Sequence, residues 1–530
     1  MKTMTTRIIL ILLSVSMGFA LTSPAFAGGG DLGWAYNSAT LLKQDVRAST
    51  MDSTGNVILV GVDDVGAASD WFVAKVAADG QSLSWPTRSF DLNRGIDVAT
   101  AVAIDGNDDI IVTGYSHNGS NYDIQTIKYN GSNGTVIWQH TYDSTANGDD
   151  IATAIGIDSS HNIYIGGYVQ DSSGKDDFII IKYQASGPVN DAPLWDTPIN
   201  GSADGNDRLM ALAVNGSSLA VTGESESSTA NDFNFMTHKL NLDGSFSWNA
   251  PQSYNDNGNG KGLDVAIDSA GNVIACGYVD DGSRAMYTAK YASGDGTAIW
   301  VKQQTGETIE GGSAVEIDSN NDVFVTGTSY TITTAYDVYT VKYQGADPVG
   351  GVPVILWQDS YNTTNGNHDV GLALTVDTGG DLFVAAYSND ASGGYDDILV
   401  LKYGGDDGAR LWPQTLYDLA GRHNRPIGIG IGPTGNVLVG GWSDTPSNNY
   451  DFIALSYDAG AIDPPTGLTA TLLSNTEIHL NWTDNSAEDN FVVERRAESE
   501  GSFAEIATLA AGTTSYNSTG LTTDTRYYYK

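Results

Sequence analysis

Cysteine occurs once in 530 residues, at Cys276, so no disulfide can form within the chain. That cysteine lies in the apolar run VIACGY with no histidine or basic residue beside it, the setting of a small buried hydrophobe and not of a reactive thiolate. Basic residues are scarce: 25 Lys and Arg stand against 64 Asp and Glu, a net charge of −39. Such a chain repels nucleic acid and anionic lipid, which excludes both as partners. Apolar runs long enough to cross a membrane are missing; residues 8–21 come nearest but are short and interrupted by serine. Catalytic signatures are missing as well. The chain has no H-E-x-x-H, no G-x-S-x-G elbow, no Gly-rich phosphate loop opening a helix and no EF-hand loop. Its seven histidines (His117, His140, His161, His238, His368, His423 and His479) form no ligand spacing and read as surface or turn residues.

What is present begins with a leader. Lys2 and Arg7 precede the apolar run, and Ala25-Phe26-Ala27 closes it as an A-x-A cleavage site. Residues 1–27 therefore read as a secretory signal peptide removed before Gly28. No cysteine follows the cut, so no lipid anchor is expected. The mature chain is expected outside the cytoplasm, secreted, periplasmic or held at the cell surface, and not inserted in a membrane.

The main feature is a repeat. A glycine closing an apolar run recurs at Gly61, Gly114, Gly167, Gly223, Gly277, Gly327 and Gly441, with Ala386 in its place once, at intervals of 50 to 59 residues. Each unit divides into four short segments separated by Gly, Asn, Asp and Ser. The second unit shows them clearly: ATAVAID (99–105), IIVTGY (110–115), DIQTIKY (123–129) and VIWQHTYD (136–143). All four are rich in β-branched and aromatic residues and too short for helices. Periods of this size with four strands each predict an all-β propeller. The fourth segment carries a tryptophan: Trp85, Trp138, Trp195, Trp248, Trp300, Trp357 and Trp412. After the eighth third segment (451–457) no such segment follows, whereas Gly33-Trp34-Ala35-Tyr36-Asn37 stands alone before the first unit. The ring is thus expected to close by pairing an N-terminal strand with the last three strands, giving eight blades, with seven as the alternative.

The units resemble a bacterial β-propeller repeat family, often called the seven-bladed type, through GNVILVG (55–61), NDDIIVTG (107–114), GNVIACG (271–277) and GNVLVGG (435–441). The resemblance spans about residues 30 to 460 and implies a scaffold rather than a reaction. A propeller domain is therefore assigned to 28–460. Beyond the linker Asp463-Pro464-Pro465 the composition changes, and residues 461–530 resemble an incomplete fibronectin type III domain. Pro465 and Leu468 match its first strand, Trp482 its core tryptophan, residues 491–495 its C strand and 521–529 its tyrosine corner. Such a sandwich needs about seven strands, so the expectation is that Lys530 does not end the natural protein.

Two carboxylate registers follow the repeat. Asp97, Asp150, Asp207, Glu310 and Asp369 open first segments, with Gly260 and Asn424 in the same place. Asp123, Asp177, Asp337 and Asp397 open third segments, together with Asp70 and Asp451. In an antiparallel four-stranded blade both registers fall on one face of the disc. They make turns through their own hydrogen bonds, and they are the candidate ligand-binding residues. A carboxylate ring there suits calcium, a cationic peptide or sugar hydroxyls. Asp52, Asp105, Asp158, Asp268, Asp318 and Asp377 fall at the opposite face and read as turn residues. Lys128 and its counterparts are five residues from the segment's first Asp, on the other side of the sheet, and are expected to reach a different carboxylate.

The expected function is a non-catalytic binding or adhesion scaffold for an extracellular protein or polysaccharide. The alternatives are an exported carbohydrate-active enzyme, hydrolase or lyase, and a structural surface-layer component. Neither the ligand nor the oligomeric state is readable.

Overall fold

The computed structural model describes residues 19–21, 30, 32–38, 43–64, 69–92, 95–201, 203–229, 232–254, 258–280, 284–304, 309–331, 335–348, 350–363, 368–389, 394–412, 415–419, 421–444, 450–458, 466–483, 490–497, 504–510, 513–523, 525 and 527–529. Among them every regular element is a strand, and no helix is long and apolar enough to cross a membrane. The chain separates into two compact units, one centred on 32–457 and the other on 458–530.

The larger unit is a β-propeller. Its eight sheets follow the chain as residues 43–90 (sheet 1), 97–142 (2), 150–199 (3), 207–254 (4), 260–304 (5), 309–361 (6), 369–417 (7) and 424–457 (8). Each runs antiparallel in chain order, from an innermost strand a to an outermost strand d. In sheet 2 these are Asp97–Ile104, Ile110–His117, Tyr122–Tyr129 and Val136–Tyr142. Sheet 8 has only three strands of its own. Leu32–Asn37 supplies its fourth, with Trp34 opposite Ser456 and Tyr36 opposite Ala454. Phe19–Leu21, inside the expected leader, pairs with the outer edge of that strand. The a strand of each sheet packs on the next, and sheet 8 packs on sheet 1, which closes the ring.

The core is correspondingly divided into layers between sheets. One layer joins Ile58, Val60 and Val73 of sheet 1 to Ala99, Ile110 and Val112 of sheet 2. The closing layer joins Trp34, Leu438 and Phe452 to Val46, Leu59 and Phe72, with the Phe452 ring stacked between Tyr36 and Phe72. Burial on both sides explains why b and c segments are apolar throughout.

The repeated glycine has a steric cause. Every a–b pair shifts register at the same place, as between Ala99 and Ala101, with a second shift in sheet 6 at Ile309/Gly311, and the bulge drives a carbonyl toward the b strand. A Cβ on Gly114 would overlap the Val98 carbonyl oxygen, and the other repeat glycines meet the same obstacle. Several tryptophans tie a sheet to its successor. Trp85 Nε1 donates to the Gly131 carbonyl in sheet 2 at 3.3 Å, and its ring covers Gly134, held at φ +68°. Trp34 covers Gly80 (φ +65°) of sheet 1 in the same way. In sheets 4 and 7 the d strand shrinks to Gln252–Tyr254 and Thr415–Tyr417, so Trp248 and Trp412 precede it instead of lying within it.

The c-strand lysines brace the opposite face. Lys75–Asp52 (2.6 Å), Lys128–Asp105 (2.6 Å), Lys290–Asp268 (3.0 Å) and Lys342–Asp318 (3.1 Å) are buried ion pairs. Several of these lysines also donate to a carbonyl of the next sheet, as Lys75 does to Gly131 at 2.8 Å. The same aspartates cap their a–b turns, Asp105 Oδ1 accepting the Asn107 and Asp109 amides. Two histidines depart from expectation. His140 is buried with Nδ1 2.9 Å from the Tyr183 hydroxyl, and His238 is buried against Phe246; both lie between sheets and not at the surface.

The smaller unit holds two three-stranded sheets. One consists of Thr466–Ser474, Glu477–Thr483 and Ser515–Ser518, the other of Asn490–Ala497, Ala504–Ala510 and Tyr527–Tyr529. Leu480, Trp482 and Val493 form its core, and Leu521 is buried, but Leu468 is exposed. The linker prolines and the Phe491 side chain lie outside the described residues.

Candidate functional site: the acidic junctions and the tyrosine face

Register places the two acidic sets in one row per sheet. Asp97 pairs with Ser116, which pairs with Asp123. The equivalents are Asp150–Val169–Asp177, Asp207–Ser225–Asn234 and Asp369–Ser388–Asp397. In sheet 6 Asp337 faces Ser329, while Glu310 lies in a bulge and its side chain is outside the described residues. Gly260 and Ala285 occupy the row in sheet 5, and Asn424 replaces the first acid in sheet 8. All rows lie at the end of the sheets that bears the d–a and b–c loops.

Each first-row aspartate holds its own d–a loop. Asp97 Oδ2 accepts the Leu92 amide at 2.8 Å, Asp150 Oδ2 the Ser144 amide at 2.5 Å and Asp369 Oδ2 the Thr363 amide at 2.8 Å; Asp207 accepts from Gly201. Asp123 accepts from the Asn118 amide group at 2.9 Å and caps the b–c loop. Asp97, Asp150, Asp207 and Asp369 are fully buried, with Asp123, Asp337 and Asp397 nearly so. These carboxylates are thus enclosed among the loops of this face and do not stand open on it. Burial pushes the carboxyls of Asp97, Asp150, Asp207 and Asp369 up, Asp150 to about 7. Asp177, only half-buried, rises to about 6 through burial and then the neighbouring Asp207.

The acids also converge across sheets instead of around the central channel. The c-strand acid of one sheet, the residue just after its d strand and the a-strand acid of the next sheet come together. Asp70, Asp91 and Asp97 form one such group between sheets 1 and 2; Asp123, Asp143 and Asp150 form another between sheets 2 and 3. Asp91 and Asp143 carry no weight in the sequence reading, although Phe90-Asp91, Tyr142-Asp143 and Tyr417-Asp418 repeat after the tryptophan segment.

Aromatic residues occupy the accessible part of the same face. Tyr115, Tyr168, Tyr278, Tyr387 and Trp442 follow the repeat glycine position, and Tyr122, Tyr336, Tyr395 and Tyr450 stand at the start of c strands. All but the exposed Tyr395 are half-buried. Cations cover several: Arg284 lies 3.6 Å from the Tyr278 ring centroid and Arg425 4.3 Å from that of Tyr387. Tyr336 packs on His368 with centroids 4.7 Å apart. Between sheets 5, 6 and 7 Tyr278, Arg284, Tyr336, His368 and Tyr387 line a cavity of about 380 Å³, to which Ser313 and Thr328 add hydroxyls. No carboxylate lines it among the described residues. The recurring Gly-Tyr and Tyr-Asp pairs are the sequence signal for this face.

No family model and no curated protein matches the chain. Among solved structures it is similar to the quinohemoprotein alcohol dehydrogenase from Comamonas testosteroni (12% identity, 84% of this chain and 78% of that one, TM-score 0.46). It is also similar to a europium-containing methanol dehydrogenase (10% identity, 80% and 93%, TM-score 0.49) and to the polysaccharide lyase Uly1 (10% identity, 68% and 90%, TM-score 0.39). Likenesses this distant carry no chemistry to this chain.

Proposed function

We propose that the protein is an exported, non-catalytic binding scaffold: an eight-bladed propeller whose loop face takes an extracellular polysaccharide or protein, followed by a fibronectin type III-like spacer. The observation that carries this reading is the cavity lined by Tyr278, Tyr336, Tyr387, Arg284 and His368. Half-buried tyrosines offer broad apolar faces with a polar edge at little entropic cost, and a concave site with a few convergent polar groups is the usual form of a ligand pocket. Arg284 adds a charge that recognises carboxylate or sulfate on an acidic sugar or side chain. The leader supports export, and the acidic surface supports solubility outside the cell.

The test is a binding screen of the mature chain against acidic and neutral polysaccharides and extracellular protein fractions, with product analysis on every ligand found. Saturable binding without turnover is expected; absence of binding across the panel would remove the reading. A second reading, a polysaccharide-cleaving enzyme, draws on the contact of Tyr336 with His368 beside Arg284. In an elimination, one of the first two would take the C5 proton α to a uronate carboxylate held by Arg284, the C4=C5 double bond would form as the C4–O bond breaks, and the other would give a proton to the departing glycosidic oxygen. Release of unsaturated product, abolished by Tyr336→Phe or His368→Ala, would reverse the ranking.

A further inference from the structure

We propose that the two junctions Asp70–Asp91–Asp97 and Asp123–Asp143–Asp150 are binding sites for a hard divalent cation of the size of calcium, which clamps sheet 1 to sheet 2 and sheet 2 to sheet 3. In each group one carboxylate oxygen from every residue lies within 4.8 Å of the others. A calcium ion holds oxygens at about 2.3–2.6 Å, so two oxygens on one ion stand at most about 5 Å apart. The observed spacing fits inside that limit.

The second observation is independent of the clustering. Asp97 and Asp150 are fully buried, and among the described residues the Oδ1 atom of each has no donor in good hydrogen-bond geometry, with the Ser116 and Ser144 hydroxyls the weak side-chain partners of the two carboxyls. A buried carboxylate oxygen without a donor is rare because its desolvation goes uncompensated. Each residue spends Oδ2 on its own d–a loop, at Leu92 and Ser144, which leaves Oδ1 for another electrophile. The other charges facing the group deepen the problem. Asp150 meets Asp143 and Asp123, Asp97 meets Asp91 and Asp70, and His117 stands near Asp123 as a group able to become positive. A cation supplies the missing partner to three oxygens at once.

Each group spans two sheets, so the ion would act between blades. Asp91 and Asp143 are exposed and keep the entry open, while Asp97 and Asp150 form the floor. The third junction has Asp177 and Asp207 but Asn200 after the d strand, and the fourth loses its acids to Asn234 and Gly260. The sixth and seventh junctions, like the third, keep two acids (Asp337 and Asp369; Asp397 and Asp418) and put an asparagine in the remaining place (Asn362; Asn424), so the full set of three acids belongs to the first two, whereas a turn-making role alone would ask for the same residue everywhere. The inference does not depend on the polysaccharide or protein reading of the tyrosine face.

The experiment is calcium chloride titration of metal-depleted mature protein by calorimetry, with melting curves in calcium, in magnesium and in chelator. Two calcium ions per chain and a higher melting temperature in calcium than in chelator are expected. Asp143→Asn, at an exposed position that leaves the fold intact, is expected to lower the stoichiometry from two to one, and Asp91→Asn with it to none. Asp150→Asn is expected to melt higher than the parent in chelator, because a buried unpaired charge is gone, and to lose half the response to calcium. No heat of binding, stoichiometry unchanged in the Asp91→Asn/Asp143→Asn protein, or an equal response to magnesium would each overturn the assignment.

Discussion

Replacing Lys128 by methionine tests how the propeller is braced on its other face. Lys128 Nζ lies 2.6 Å from Asp105 Oδ2, 3.4 Å from Asp109 Oδ2 and 3.4 Å from the Ala185 carbonyl of the next sheet. The side chains of Lys128 and Asp105 are 5% and 1% exposed, so solvent cannot take over when one charge is removed. Methionine keeps the apolar stem and strands the carboxylate. Breaking a buried pair this way costs about 3–5 kcal/mol. The Asn107 and Asp109 amides still donate to Asp105, which places the expectation near the lower end, about 3 kcal/mol, or two factors of ten in the folded-to-unfolded ratio. Urea unfolding followed by tryptophan fluorescence reads it as a lower midpoint at unchanged slope. Adding Asp105→Asn removes the stranded charge and is expected to restore most of the loss. The sign with pH follows from Asp105. Burial acts to raise its carboxyl, but Lys128 and the two amides overcome it and hold it below the usual range. Its stabilising contribution in the parent is present above the unfolded value of about 4 and lost as pH falls through the lower folded value. Without Lys128 the carboxyl rises, so the gap between variant and parent narrows toward acid. A variant within about 0.5 kcal/mol of the parent at neutral pH would refute the reasoning, since that is the range of an ordinary surface change.

Gly80→Val forces a Cβ into the Trp34 ring at a backbone angle of φ +65°, so the closing strand is expected to detach; limited proteolysis then cuts near residue 38 while the parent resists. Trp34→Ala opens the same closure and is expected to cost about 3–5 kcal/mol in thermal or urea unfolding. Cys276 is fully buried and burial pushes its thiol well above the ordinary value, so a thiol reagent is expected to leave it unmodified in the native chain and to label it after unfolding. In chelator the Asp150 carboxyl, raised to about 7 against about 4 unfolded, binds its proton more tightly in the native state. Stability relative to Asp150→Asn is therefore expected to rise as pH falls from 7 toward 4 and to stay flat above; parallel melting curves would count against it.

The all-β class and the four-strand unit were legible because burial between neighbouring sheets makes b and c segments apolar in every copy. The lone Gly33-Trp34 segment was legible for the same reason: its tryptophan needs a glycine turn to cover, and Gly80 is that turn. Lys75, Lys128, Lys290 and Lys342 reach a carboxylate at the end of strand a in the same sheet, whereas Lys182 and Lys239 donate to carbonyls of the next sheet. What one repeat cannot show is what touches across repeats. Asp123 and Asp150 belong to different units and meet only when sheet 2 packs on sheet 3, and Asp143 joins them from a position that looks like a turn residue. His140 and His238 have no period, so their burial between sheets left no trace in spacing. The tyrosine face was written in the Gly-Tyr and Tyr-Asp pairs but hidden beneath the stronger acidic register.

If the proposed function holds, the propeller meets its ligand at the tyrosine-lined cavity. The most direct measurement is the dissociation constant of the tightest ligand from the screen, for the parent and for Tyr336→Ala and Arg284→Ala, with Asp79→Ala on the opposite face as control. At least a tenfold loss is expected for each cavity variant, with parent affinity for the control and unchanged melting for all three. Parent affinity in both cavity variants would contradict it.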